Sequence, residues 1–171
     1  MEDIKSVIRD IPDFPKKGII FKDITPMLKD PQTFNKAINA LADYLREKKI
    51  DYLVGIESRG FIFSPVLAYQ MGVGFIPVRK KGKLPYKTEN ISYTLEYGEA
   101  ILEIHQDAIE KGSRVAIVDD LLATGGTALA AAHLVEKLGG SVESIAFIIE
   151  LGFLKGKEKL SAYDVFSLIQ Y

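Results

Sequence analysis

The sequence predicts a mainly parallel α/β sheet flanked by helices, and three observations carry that prediction. Short apolar runs at residues 52–56, 74–78, 115–118 and 142–149 alternate with longer helix-forming stretches. These runs are apolar throughout rather than every second residue, as strands covered on both faces must be. Three of them end in charged or Gly-containing turns, at residues 57–60, 79–83 and 119–127. Ligands of such sheets bind beyond the carboxyl ends of strands, so these turns are expected to meet in space.

The elements follow in order. A short helix is expected over residues 4–10. Pro12, Pro15 and Gly18 then punctuate a stretch ending in Ile19-Ile20-Phe21, and Pro26 and Pro31 follow. Residues 11–32 therefore read as irregular structure with one short strand. Phe34, Ile38, Leu41, Ala42 and Leu45 recur at helical spacing, giving an amphipathic helix to about residue 49. The strand at 52–56 closes in Glu57-Ser58-Arg59-Gly60, and a helix is expected over 61–70 with Pro65 in its first turn. After the strand at 74–78, residues 79–97 turn basic and then polar, with Gly82, Pro85 and no helical period. A strand is plausible at 99–104. The apolar run from Val115 reaches two adjacent acids, and a helix over 128–138 is closed by Gly139-Gly140. Strands at 142–149 and 163–168 complete the chain.

Composition limits the function. A chain of 171 residues, 47% hydrophobic, suits one domain with a sizeable core. Its net charge of −1 offers no bulk attraction to nucleic acid or anionic membrane. No apolar run approaches the roughly 20 residues of a membrane span. The start, Met1-Glu2-Asp3-Ile4-Lys5, is acidic and amphipathic, unlike a secretory signal. Zero cysteines exclude disulfides, thiolate metal sites and thiol catalysis. His105 and His133 each stand alone, without ligand spacing, and read as structural. A cytosolic enzyme or small-molecule binder is the default.

The most informative segment is Val-Ala-Ile-Val-Asp-Asp-Leu-Leu-Ala-Thr-Gly-Gly-Thr, residues 115–127. It reads as strand, acid pair, turn and helix start. Such a turn aims backbone N–H groups at one phosphate, backed by the positive end of the helix dipole. Two carboxylates just upstream suit sugar hydroxyls or a magnesium ion carried with them. Together they ask for a phosphorylated ribose. An ordinary strand-to-helix loop uses the same residue types, with Thr127 as N-cap. A nucleotide-triphosphate site would need a Gly-x4-Gly-Lys-Ser/Thr loop. Residues 152–157 come nearest, but only three residues separate Gly152 from Gly156, and Glu158 follows Lys157.

The segment 119–127 resembles the phosphoribosyl pyrophosphate motif of type I phosphoribosyltransferases, and the chain as a whole is most similar to those that use adenine. The marks are Pro12-Asp13-Phe14-Pro15 with residues 18–25, residues 55–61, residues 79–85, Leu95-Glu96-Tyr97-Gly98, and the ending Phe166-Ser167-Leu168-Ile169-Gln170-Tyr171. The resemblance implies a single domain over 1–171, with a small N-terminal hood at about 1–32 and a flexible flap at about 79–98. It implies the conversion of adenine and phosphoribosyl pyrophosphate to AMP and pyrophosphate, in purine salvage. It also implies Mg2+ carried by the donor near Asp119 and Asp120 with no direct protein metal site, a homodimer, and a cytoplasmic location. No nucleic-acid or membrane partner is expected.

The resemblance also distributes roles among residues. Asp119 and Asp120 would grip the ribose hydroxyls, with Asp120 favouring a cationic transition state. Ala123, Thr124, Gly125, Gly126 and Thr127 would wrap the 5′-phosphate. Glu57, Ser58, Arg59 and Gly60 would form the pyrophosphate loop, with a non-proline cis peptide between Glu57 and Ser58. A helix start with Ser58 as N-cap is the plain alternative there. Arg79, Lys80 and Lys83 would bring cations to the departing pyrophosphate, and Tyr97 would assist closure. Main chain at Ile20 and Lys22 would read the purine edge, with Phe21 stacked on the ring and Leu151 lining the other face. Glu96 would be the acid near purine N7. Two alternatives are an oxo-purine transferase (hypoxanthine, guanine or xanthine) and a donor-sensing regulatory protein. Residues 11–25 argue against the first, and the short, neutral chain argues against the second.

Overall fold

The computed structural model describes residues 1–94 and 99–171. They fall into two compact units, Met1–Ala40 and Leu41–Tyr171. In the first, helix α1 (Glu2–Val7) leads into strands β1 (Arg9–Ile11) and β2 (Phe21–Asp23), which pair antiparallel with Asp10 opposite Lys22. Helix α1 stops short of the expected residue 10, because residues 9–11 are extended by that pairing. A further helix, α2 (Thr25–Lys29), occupies a stretch expected to be irregular. Pro26 sits in its first turn, where the missing N–H costs nothing. Ile4 and Met27 are fully buried.

Helix α3 (Pro31–Arg46) follows, with Ala37, Ile38, Leu41, Ala42 and Leu45 on its buried stripe. In the second unit, β3 (Tyr52–Ile56), α4 (Gly60–Met71) and β4 (Gly74–Lys80) form the first part of a seven-stranded sheet. Strands β5 (Thr88–Thr94) and β6 (Glu99–His105) add antiparallel to its β4 edge. Strand β7 (Arg114–Leu122), helix α5 (Gly126–Lys137) and strand β8 (Ser141–Glu150) build the other half. A 3₁₀ turn (Gly152–Leu154), helix α6 (Gly156–Lys159) and strand β9 (Val165–Gln170) end the chain. The strand order is β5-β6-β4-β3-β7-β8-β9, parallel from β4 to β9.

Two details differ from expectation. Helix α4 begins at Gly60, which leaves Pro65 inside the helix rather than in its first turn. Ser64, just before Pro65, donates its Oγ to the Gly60 carbonyl at 2.6 Å. Strand β7 also runs through both acids to Leu122, because pairing with β8 continues to Leu122 opposite Glu150.

The sheet core is made by residues such as Val54, Ile56, Ile117, Ile145 and Phe147, under the Ala-rich face of α5. Truncating a fully buried ring such as Phe63 or Phe147 to alanine is expected to cost about 3–5 kcal/mol. The connections from β3 and β7 leave in opposite directions, to β4 and to β8. That switch point opens a crevice beyond the carboxyl ends of β3 and β7.

Candidate active site at the sheet's switch point

A cavity of about 470 Å³ occupies that crevice. Its wall includes Glu57, Ser58 and Arg59 after β3, Lys80 at the end of β4, and residues 119–128 from β7 into α5. The three turns expected to converge do so. Ser58 and Arg59 lie in a loop where the Glu57–Ser58 peptide is cis. Neither Ser58 nor any other described side chain caps α4. Gly60 does not line the cavity. It packs against the β7 backbone, where a Cβ would come within 2.8 Å of the Val118 carbonyl.

The segment after Asp120 forms a cup. Gly125 stands at the N-cap of α5 with φ +80°, and no side chain caps the helix, Thr127 included. The first amides of α5 therefore have no acceptor within the helix, and residues 125–128 all line the cavity. Gly125 needs its bareness. A Cβ there would meet the Gly156 carbonyl at 2.6 Å, and one on Gly156 would meet the Ala123 carbonyl at 2.2 Å. The cup is thus braced by backbone-to-backbone contact, and an uncapped helix start in a cavity wall is suited to an anion.

Two carboxylates flank the cup. The Asp119 Oδ1 accepts the Asp120 N–H at 2.9 Å, and Asp120 Oδ2 lies 2.9 Å from Arg59 Nε. Burial, then the neighbouring Asp120 charge, pushes the Asp119 carboxyl well above the usual carboxylate range. Burial also raises Asp120, against the pull of the Arg59 guanidinium. The Arg59–Asp120 ion pair was not foreseen, but it leaves the cup open: Asp119, Asp120 and Arg59 all still line the cavity.

The basic turn is less uniform than its sequence. Arg79 is turned to Glu57, with Nη2 at 2.9 Å and Nε at 3.3 Å from its two oxygens. That hydrogen bonding holds the Glu57 carboxyl below its usual range. Glu57 also accepts the Lys80 N–H at 3.1 Å. Glu57 therefore spends its charge on the basic turn, and of Arg79, Lys80 and Lys83 only Lys80 lines the cavity.

In the N-terminal unit, Ile20 is half exposed and Phe21 meets Phe14 edge-on, centroids 5.3 Å apart. Lys22 Nζ lies 2.7 Å from Asp10 Oδ1, so its side chain ties β2 to β1. Leu151 is buried after β8, and its N–H donates to the Leu122 carbonyl at 2.9 Å. Glu96 and Tyr97 lie outside the described residues.

Sequence reasoning missed four contributors. Tyr93, Ala100 and Phe147 complete the cavity wall, and the Thr127 Oγ1 lies 3.4 Å from the Tyr93 hydroxyl. The alternation of Ile91 and Tyr93 with polar residues was the available signal for the β5 strand. Gly156, which braces the cup, gave none. No group of three or more His, Cys, Asp or Glu that could hold a metal occurs among the described residues.

Comparison with known proteins agrees with this geometry. Residues 25–170 match the phosphoribosyl transferase domain family. The chain is 60% identical over 171 residues to an adenine phosphoribosyltransferase from a Thermoanaerobacter species, covering 100% of this chain and 99% of that protein. The crystal structure of the enzyme of that name from Thermoanaerobacter pseudethanolicus superposes with a TM-score of 0.97 at 59% identity, over 99% of each chain. The Saccharomyces cerevisiae adenine phosphoribosyltransferase, solved with an imino-altritol bisphosphate and adenine, matches with a TM-score of 0.94 at 47% identity, over 98% of this chain and 97% of that one. The chain belongs to the phosphoribosyl transferase domain family and, within it, to the adenine phosphoribosyltransferases.

Proposed function

We propose that this chain transfers the 5-phosphoribosyl group from phosphoribosyl pyrophosphate to adenine, forming AMP and pyrophosphate. The observation that carries this is the uncapped start of α5 beside the buried Asp120 and the partly buried Asp119, in one cavity with Arg59 and Lys80. The 5′-phosphate takes the amides of the cup. Asp119 and Asp120 face the ribose hydroxyls, while Ser58, Arg59 and Lys80 take the pyrophosphate. As the C1′–pyrophosphate bond breaks and purine N9 approaches, the sugar gains oxocarbenium character. Two carboxylates preorganised beside that ring favour the cation more than the neutral ground state. Arg59 links the two ends of the site, since its guanidinium touches Asp120 from the pyrophosphate loop.

Magnesium fits this arrangement as a passenger of the donor. Two adjacent carboxylates, with no group of three possible ligands among the described residues, suit a hydrated Mg2+ shared with substrate oxygens. When bound, the ion would neutralise the charge of the donor, with Asp119 and Asp120 as its protein neighbours.

Adenine is read by main chain at Ile20 and Lys22, with Phe21 against the ring. Backbone donors and acceptors separate an amino purine from an oxo purine because the polarity of the edge reverses. Each buried mispairing costs about 1–3 kcal/mol. The Lys22 side chain supports the reading edge through Asp10, so only its backbone needs to face the base. The reading extends to a homodimer working in the cytoplasm. No described helix is long and apolar enough to cross a membrane.

The test is product identity. The chain is incubated with donor, Mg2+ and adenine, hypoxanthine, guanine or xanthine in turn. AMP from adenine alone is expected. Formation of IMP, GMP or XMP would move the assignment to an oxo-purine transferase.

A further inference from the structure

Glu103 is charged and only 6% exposed, yet it lies outside the cavity wall. It sits on β6 opposite Arg79 of β4, and its Oε2 accepts the Gly82 N–H at 2.9 Å. That bond completes a pattern in the basic turn. The Lys80 N–H donates to Glu57, the Lys81 N–H to the Ile101 carbonyl at 3.1 Å, the Gly82 N–H to Glu103, and the Lys83 N–H to the Lys80 carbonyl at 3.3 Å. Four successive amides are engaged, two of them by carboxylates. Gly82 takes φ +80° at the centre of the turn. A glycine turn with its amides turned outward would be an anion nest. Here the amides point into the protein, and the turn offers its cations instead, with Lys80 in the cavity wall.

Resting on the transferase reading above, we infer that Glu103 is a positioning residue for pyrophosphate binding. It fixes the turn so that the Lys80 ammonium, not the turn backbone, meets the departing group. A carboxylate accepts an N–H more strongly than a neutral oxygen does, and the burial of Glu103 leaves it little alternative partner in water. Glu57 performs the same service at Lys80. The two acids thus set the geometry of a cationic turn, Glu57 from the cavity wall and Glu103 from outside it.

The experiment is calorimetric titration of the full chain with two separate probes, magnesium pyrophosphate and ribose 5-phosphate. Wild type, Glu103→Ala and Glu103→Gln are compared, with thermal melting of each recorded. Glu103→Ala should weaken pyrophosphate about tenfold while ribose 5-phosphate changes by less than about twofold, because the cup does not depend on the turn. Glu103→Gln, whose amide oxygen can still accept the Gly82 N–H, should recover most of the loss. In steady state the same selectivity appears as a raised donor KM with kcat nearly unchanged. Unaltered pyrophosphate affinity in Glu103→Ala, or equal weakening of both probes, overturns the positioning role. Failure of the wild type to bind either probe would instead bring down the transferase reading, and this inference with it.

Discussion

The cup at residues 123–127 and the turn at residues 80–83, which reaches the same cavity through Lys80, are both glycine-containing loops at strand ends, yet they offer opposite chemistry. In the cup, the helix start is uncapped in the cavity wall, and Gly156 braces the loop. In the turn, every amide from Lys80 to Lys83 is already engaged, and of its residues only Lys80 lines the cavity. The first is fixed by backbone packing and suits a phosphate held through sugar and transition state alike. The second is fixed by two carboxylates and suits a group that must leave. Glycine content alone does not separate them; the fate of the amides does.

The comparison is broken most severely at the acids beside the cup. Asp120→Asn should lower kcat by about 10²- to 10³-fold, the scale of losing one preorganised electrostatic contact. A raised KM at unchanged kcat would mean that Asp120 binds the ground state only. Next comes the brace. Gly156→Ala puts a Cβ against the Ala123 carbonyl and must displace the cup, so kcat/KM should fall about 10²-fold and ribose 5-phosphate affinity with it. Normal affinity in that variant would show that the cup is not held from behind. Lys80→Met should cost roughly three- to tenfold in donor KM and lose its effect at high salt, as an exposed cation does.

The smallest effect is on stability, and its sign is informative. The folded state raises the Asp119 carboxyl well above its ordinary 3.8, so it holds that proton more tightly than the unfolded chain. Stability therefore declines as pH rises from the ordinary carboxylate range through the raised value. Asp119→Asn removes this penalty. It should melt higher than wild type at pH 7–8, with the difference shrinking as pH falls through that window, while activity is lost. A lower melting temperature at neutral pH would show that the charged pair stabilises the fold.

Much of this was legible in the chain. Residues 52–56 form a strand with those bounds because a buried parallel strand is apolar throughout, and the segment after Val115 carries its acids, turn and helix in a fixed local order. What was not legible depended on distant partners. The acids belong to β7 itself, since pairing with β8 overrides the poor strand propensity of aspartate. Gly156 braces Ala123 across a fold contact that no local pattern announces. Glu103, between Leu102 and Ile104, has the alternation of a solvent-facing strand position, but the basic turn covers it. Arg79 and Lys80 look equivalent in sequence, but as successive residues of β4 they point to opposite faces, and Glu57 captures the Arg79 guanidinium.

The most direct measurement is the backbone amide NMR spectrum of the chain titrated with ribose 5-phosphate. The largest shift changes should fall on residues 124–128, with those of residues 80–83 nearly still. Strong changes at residues 80–83 with the α5 amides unmoved would contradict the account.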